Sequence, residues 1–74
     1  MELKTARRIA RLTQLELATK AGVDDSLISL VENGKRDIRN ISYSTVVRIA
    51  RALNVEPEEL FPVGSVAEDA KGAA

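Results

Sequence analysis

Apolar residues recur along this chain at three- and four-residue steps, the spacing that lines one face of an α-helix. Leu3, Ala6 and Ala10 make the first such stripe, with Ile9 to its side and Leu12 closing the turn that follows. Arg7 falls on the same face, about 60° from the centre of the stripe at the helical step, so a guanidinium there requires a partner. Thr13-Gln14-Leu15-Glu16 has the form of a capping box, in which the Thr13 hydroxyl takes the Glu16 amide and the Glu16 carboxylate reaches back. It opens a second helix with Leu17, Ala18 and Ala21 as its apolar face. Gly22 ends that helix, because glycine enters the left-handed region without steric cost. Asp24 is the expected N-cap of a third helix, which runs to about Glu32 and is closed by Asn33-Gly34, read as a left-handed pair.

Two short helices separated by a few residues containing Gly22 have a helix-turn-helix layout. A polar loop follows, from Lys35 to Asn40. A fourth helix starts at a Ser42 cap, carries Val46, Ile49, Ala50 and Leu53 on one stripe and stops at Asn54. Glu56-Pro57-Glu58-Glu59 reads as a short fifth helix, with proline at the first helical position and acids in the first turn. Leu60 and Phe61 then turn inward and Pro62 ends the element. The pattern therefore predicts an all-α domain of five short helices over residues 1–62. Residues 63–74 lack periodicity, are rich in Gly, Ala and Ser, and are expected to form a flexible tail.

The third helix carries the candidate chemistry. The 100° step turns Leu27, Ile28 and Val31 toward the other helices and Ser26, Ser29 and Leu30 away from them, with Asp25 at the leading end. Leu30 is the one large apolar residue of that helix with no place inside a monomer. One reading makes this face ordinary helix surface. The other sends it into the DNA major groove, where Ser approaches closely and bonds several base edges, Leu meets the thymine methyl, and Asp accepts from cytosine N4. Spacing alone leaves both open.

Composition narrows the field. The chain has 74 residues and neither His nor Cys. That removes the usual general base, thiolate chemistry, disulfides and the commonest metal ligands, so neither an enzyme nor a metal or other cofactor is expected. Tyr43 and Phe61 are the only aromatics, too few for stacking on single-stranded nucleic acid. No apolar run approaches the roughly 18 residues of a membrane span, and the N-terminus lacks a signal-peptide layout; a cytoplasmic location is expected. Eleven basic and eleven acidic residues cancel, which at first argues against a polyanion as partner. Read by position the charge divides. Residues 1–39 hold eight basic and six acidic side chains, residues 40–74 three and five, and Lys35, Arg36 and Arg39 cluster just after the third helix.

From Thr13 to Phe61 the chain resembles the Cro/repressor-type helix-turn-helix family, also called the xenobiotic-response-element family. The residues that carry the resemblance are Thr13-Gln14 with Leu17-Ala18, Ala21-Gly22-Val23, Ile28-Ser29 and Glu32-Asn33-Gly34-Lys35-Arg36, then the run from Ile49 to Val55 and Glu58-Glu59-Leu60-Phe61. The resemblance implies a lambda-repressor-like domain that binds double-stranded operator DNA, usually as a homodimer, with the helix-turn-helix at helices 2 and 3. Carried over by position, Asp25, Ser26, Ser29 and Leu30 read bases. Gln14 bonds a phosphate and buttresses the recognition helix, and Asn33, Lys35 and Arg36 meet the backbone, with Arg39 and Asn40 in reach of it. Arg7 and Glu32 stand where many members form an ion pair, which supplies the partner Arg7 needs.

The sequence departs from the family at Asp25, where a carboxylate at a reading position also reads as a second capping residue, and at Arg11, where the family often has glycine. The loop from Lys35 to Ile41 also resembles those of restriction-modification controller proteins. Apolar surface on the fourth and fifth helices, from Tyr43, Val47, Phe61 and Val63, is the expected dimer interface. The expected function is thus a DNA-binding transcriptional regulator, a repressor, with no small-molecule ligand evident. Two alternatives stand beside it. One is a protein-interaction module such as an antitoxin or anti-repressor, docking through Leu27 and Leu30, which has no need of both Gln14 and the basic loop. The other is the DNA-binding fragment of a larger regulator.

Overall fold

The computed structural model describes residues 1–61. Four α-helices follow one another: α1, Leu3–Ile9; α2, Gln14–Ala21; α3, Asp25–Glu32; and α4, Tyr43–Leu53. Two single 3₁₀ turns, Ile38–Asn40 and Pro57–Leu60, complete the described residues, which contain no strand. The expectation of five helices is corrected at the last element. Pro57 brings no amide donor, and Phe61 is already extended (φ −84°, ψ 144°), as expected of a residue before proline. The four residues from Pro57 to Leu60 leave no room for an i→i−4 ladder. The Ile38–Asn40 turn, read from the sequence as open loop, forms because the Asp37 carboxylate accepts the Arg39 amide at 2.9 Å and Ile38 inserts into the core.

The core is built on Leu17, Ile28, Val46 and Ile49, all fully buried, one from each of α2 and α3 and two from α4. α2 packs against both α3 and α4, α1 packs against α3, and the last 3₁₀ turn lies on α4. Leu60 is buried and closes this core, while Phe61 is half-buried against it. Ile9 and Leu15 remain exposed.

Helix ends follow local chemistry closely, with two exceptions. The capping box of α2 is present in both halves, Glu16 N–H to Thr13 Oγ1 at 3.0 Å and Thr13 N–H to Glu16 Oε1 at 2.8 Å. Gly22 (φ 73°) closes α2 and Asn54 (φ 60°) closes α4, whose first turn is capped by the Ser42 hydroxyl. Asp24 occupies the N-cap position of α3, yet its side chain accepts no capping bond. Asn33 is not left-handed (φ −87°); only Gly34 is (φ 73°). The α1–α2 turn passes through Arg11 at φ 60°, a conformation that glycine adopts more cheaply.

Candidate nucleic-acid interface

The helix-turn-helix is held by a buried polar contact between its outer ends. Glu32, in the last turn of α3, has its side chain 2% exposed. Its carboxylate accepts from Arg7 Nε at 2.6 Å, from Arg7 Nη2 at 3.1 Å and from Gln14 Nε2 at 3.1 Å. Arg7 also donates through Nη1 to the Leu12 carbonyl at 2.8 Å. One side chain of α1 therefore ties together the α1–α2 turn and the C-terminal end of α3, and the first residue of α2 joins the same carboxylate. A negative charge at a helix C-terminus is unfavourable by itself, and the paired guanidinium offsets it. Burial alone would push the Glu32 carboxyl up; the hydrogen bonds from Arg7 and Gln14, with the charges of Arg7 and Lys4, outweigh it and hold the group below its ordinary value. The hydrogen bond to Glu32, against desolvation, holds Arg7 above its own. Among the described residues no buried side-chain nitrogen or oxygen lacks a partner.

With its inner face fixed in this way, α3 presents the four residues singled out from the sequence. Asp25 and Ser26 are exposed, Leu30 is 39% exposed, and Ser29 is half-buried. Leu27 and Val31 are half-buried and Ile28 fully buried, as the helical step requires. Asn33 is exposed but turned back on α3, its Nδ2 donating to Ser29 Oγ at 3.3 Å, so a backbone candidate and a base-reading candidate are linked.

Beyond Gly34 the candidate phosphate contacts separate into two kinds. Lys35 and Arg36 are exposed, with both backbone amides donating to the Leu30 carbonyl at 2.9 and 3.1 Å, which fixes where their side chains leave the backbone. Arg39 instead lies in an ion pair with Asp37, Nη2 to Oδ2 at 2.7 Å. The side-chain and backbone hydrogen bonds from Arg39 hold the Asp37 carboxyl down at about 2. Asn40 is exposed at the end of the 3₁₀ turn.

Ser42 and Thr45 are not among the candidates read from the sequence, yet they lie beside them. Together with Ser26, Leu30, Arg36 and Ile41 they line one open depression of about 470 Å³ between α3 and the start of α4. Their hydroxyls lie 2.8 Å apart. Ser42 follows directly on the basic loop, where its sequence context points to a helix cap, and Thr45 carries no sequence signal of its own.

Of the apolar residues expected at a dimer interface, Tyr43 is 59% exposed at the start of α4, Val47 is half-buried one turn on, and Phe61 is half-buried. Val63 and the expected tail lie outside the described residues. Among those described, no helix is long and apolar enough to cross a membrane.

Known proteins share this fold. A family model described as Helix-turn-helix matches residues 3–60, from the first residue of α1 to the last of the final turn. Among solved structures, the chain is similar to the restriction-modification controller protein C.AhdI from Aeromonas hydrophila, with 39% identity, a TM-score of 0.70, and coverage of 80% of this chain and 85% of that one. It is also similar to a chain of the SinR protein/SinI protein complex, with 23% identity, a TM-score of 0.74, and coverage of 97% and 77%. At that identity the second likeness speaks for the fold alone. None of the curated proteins compared with the chain matches it. The match over α1 to the last turn agrees with the exposed α3 face and the basic residues after it: the chain belongs to the Cro/repressor-type helix-turn-helix family and is a DNA-binding transcriptional regulator.

Proposed function

We propose that the chain acts as a homodimer that places α3 in the major groove of a pseudo-palindromic operator and represses transcription by occupying it. The observation that carries this reading is the outward face of α3. It is polar and small at Ser26 and Ser29, carries one exposed Leu30, and is followed by exposed Lys35 and Arg36. Asp25, Ser26, Ser29 and Leu30 read bases in this arrangement. Gln14, Asn33, Lys35, Arg36, Arg39 and Asn40 meet phosphates, Arg39 after exchanging Asp37 for one. Tyr43, Val47, Phe61 and Val63 supply the apolar surface between subunits. One short helix reads only a few base pairs, so two are needed, with half-site centres ~34–36 Å apart. The likeness to a restriction-modification controller supports a regulator of that kind.

Selection of bound duplexes from a random pool tests the proposal. The expected product is a palindrome whose two halves are one helical turn apart. Binding to it should weaken with salt at a log–log slope of roughly −5 to −9, from about 3–5 phosphates neutralised per subunit. No enrichment at low salt would overturn the operator reading and favour a protein partner; enrichment of a single half-site would overturn the dimer.

A further inference from the structure

We propose that Glu32 is a positioning residue for DNA binding, holding the Gln14 side-chain amide so that one of its N–H groups is presented to a phosphate. This rests on the reading of Gln14 as a phosphate contact. Gln14 is the first residue of α2 and half-buried, and its Nε2 lies 3.1 Å from Glu32 Oε1. An ionised carboxylate only accepts hydrogen bonds, so the Gln14 amide must turn its NH₂ end toward Glu32. The two hydrogens of that NH₂ are fixed in one plane. With one committed to Glu32, the direction of the other is set by α3 and not by free rotation of a long side chain. The carbonyl end, which a phosphate repels, is kept to the far side. Glu32 is itself held at both oxygens by Arg7, so the reference point for the amide does not move. A neutral amide at position 32 would both donate and accept, and Gln14 could then sit either way round. The contact that braces α2 against α3 therefore also selects which end of Gln14 meets DNA.

A double-mutant cycle on the duplex recovered by selection tests this, with affinities measured for the wild type, Gln14→Ala, Glu32→Gln and the double variant at one salt concentration. Losses from breaking the Arg7 pair appear in both backgrounds and cancel in the cycle, and affinities taken where all four proteins are fully folded by circular dichroism keep the stability of the Glu32–Gln14 brace out of it. The expected result is that Glu32→Gln weakens binding by about five-fold more in the Gln14 background than in the Gln14→Ala background. An equal loss in both, with Gln14→Ala still weakening binding, overturns the positioning role and leaves Gln14 as a phosphate contact. A Gln14→Ala variant that binds as tightly as wild type overturns the reading of Gln14 and the inference with it. Should Glu32→Gln fail to fold, the side-chain amide resonances of Gln14 in the wild type decide. On addition of the duplex the two Nε2 protons are expected to shift unequally, and two unmoved protons overturn the proposal.

Discussion

Two arginine–carboxylate pairs of nearly equal length stand in opposite surroundings in this molecule. Arg7–Glu32 closes at 2.6 Å with side chains 14% and 2% exposed, and Arg39–Asp37 at 2.7 Å with side chains 49% and 37% exposed. The first joins residues 25 positions apart and gathers Gln14 and the Leu12 carbonyl around it; the second joins residues two apart within one turn. Distance alone would rank them as equals. Burial separates them, because water competes for the exposed pair at every moment, whereas removal of one partner from the buried pair strands a charge with no water to take its place. The buried pair is thus a fixed part of the fold. The exposed one is an exchangeable contact, and on the proposed reading a DNA phosphate is what replaces the carboxylate.

The comparison is most exposed to failure at Arg7. Arg7→Ala leaves Glu32 buried with only the Gln14 amide as donor and should destabilise the domain by about 3–5 kcal/mol. Urea unfolding reads this directly, and an unchanged midpoint would place the two pairs on the same footing. Acid gives the next largest effect. The Glu32 carboxyl is held below its ordinary value in the folded state, so its pairing contributes fully above the unfolded glutamate range, about 4.3, and is lost as pH falls through the lower folded value. Arg7 stays charged throughout this range. The fall in stability below pH ~4 should therefore flatten in Glu32→Gln, and a parallel acid limb in wild type and variant would contradict it. Asp37, held at about 2, follows the same sign over a lower window, its contribution fading as pH drops from the ordinary aspartate range toward 2.

Smaller effects belong to the exposed pair. Asp37→Asn should move the urea midpoint by roughly a fifth or less of the shift in Arg7→Ala. The same variant removes the carboxylate that competes with phosphate for Arg39, so DNA binding at low salt should tighten, with the gain disappearing at high salt. Weaker binding in Asp37→Asn would mean that the carboxylate orders the loop for DNA and does not restrain it. Lys35→Ala, at an exposed cation, should lower the magnitude of the salt slope by about 1 per subunit.

Much of this is legible in the sequence, wherever a few adjacent residues decide the outcome. The Thr13/Glu16 box, the Gly22 and Asn54 stops and the Ser42 cap each depend on a local backbone conformation and one short side chain. Arg7 on an apolar face announced that a partner exists, and the family resemblance named Glu32. Local chemistry does not decide where the chain offers alternatives. Asp24 has the right type for an N-cap and makes no capping bond, and Asn33 remains right-handed because Gly34 beside it takes the left-handed turn at less cost. The basic loop looked uniformly open, yet Asp37 claims Arg39 and nothing marks Lys35 or Arg36 off from it in sequence. Ser42 and Thr45 join the depression beside Leu30 only because α4 starts where the loop returns to α3.

Where the four α-helices begin and end, which faces are apolar, and that positive charge gathers after α3 can all be read from the sequence, since periodicity, capping and composition act over a few residues. Tertiary structure decided which polar groups meet. The convergence of Arg7, Gln14 and Glu32, the withdrawal of Arg39, and the collapse of the fifth helix to a single turn between Pro57 and Phe61 depend on how elements pack and where they run out of room. Hydrogen bonds and desolvation act over a few ångströms in space, and only folding sets which residues lie that close.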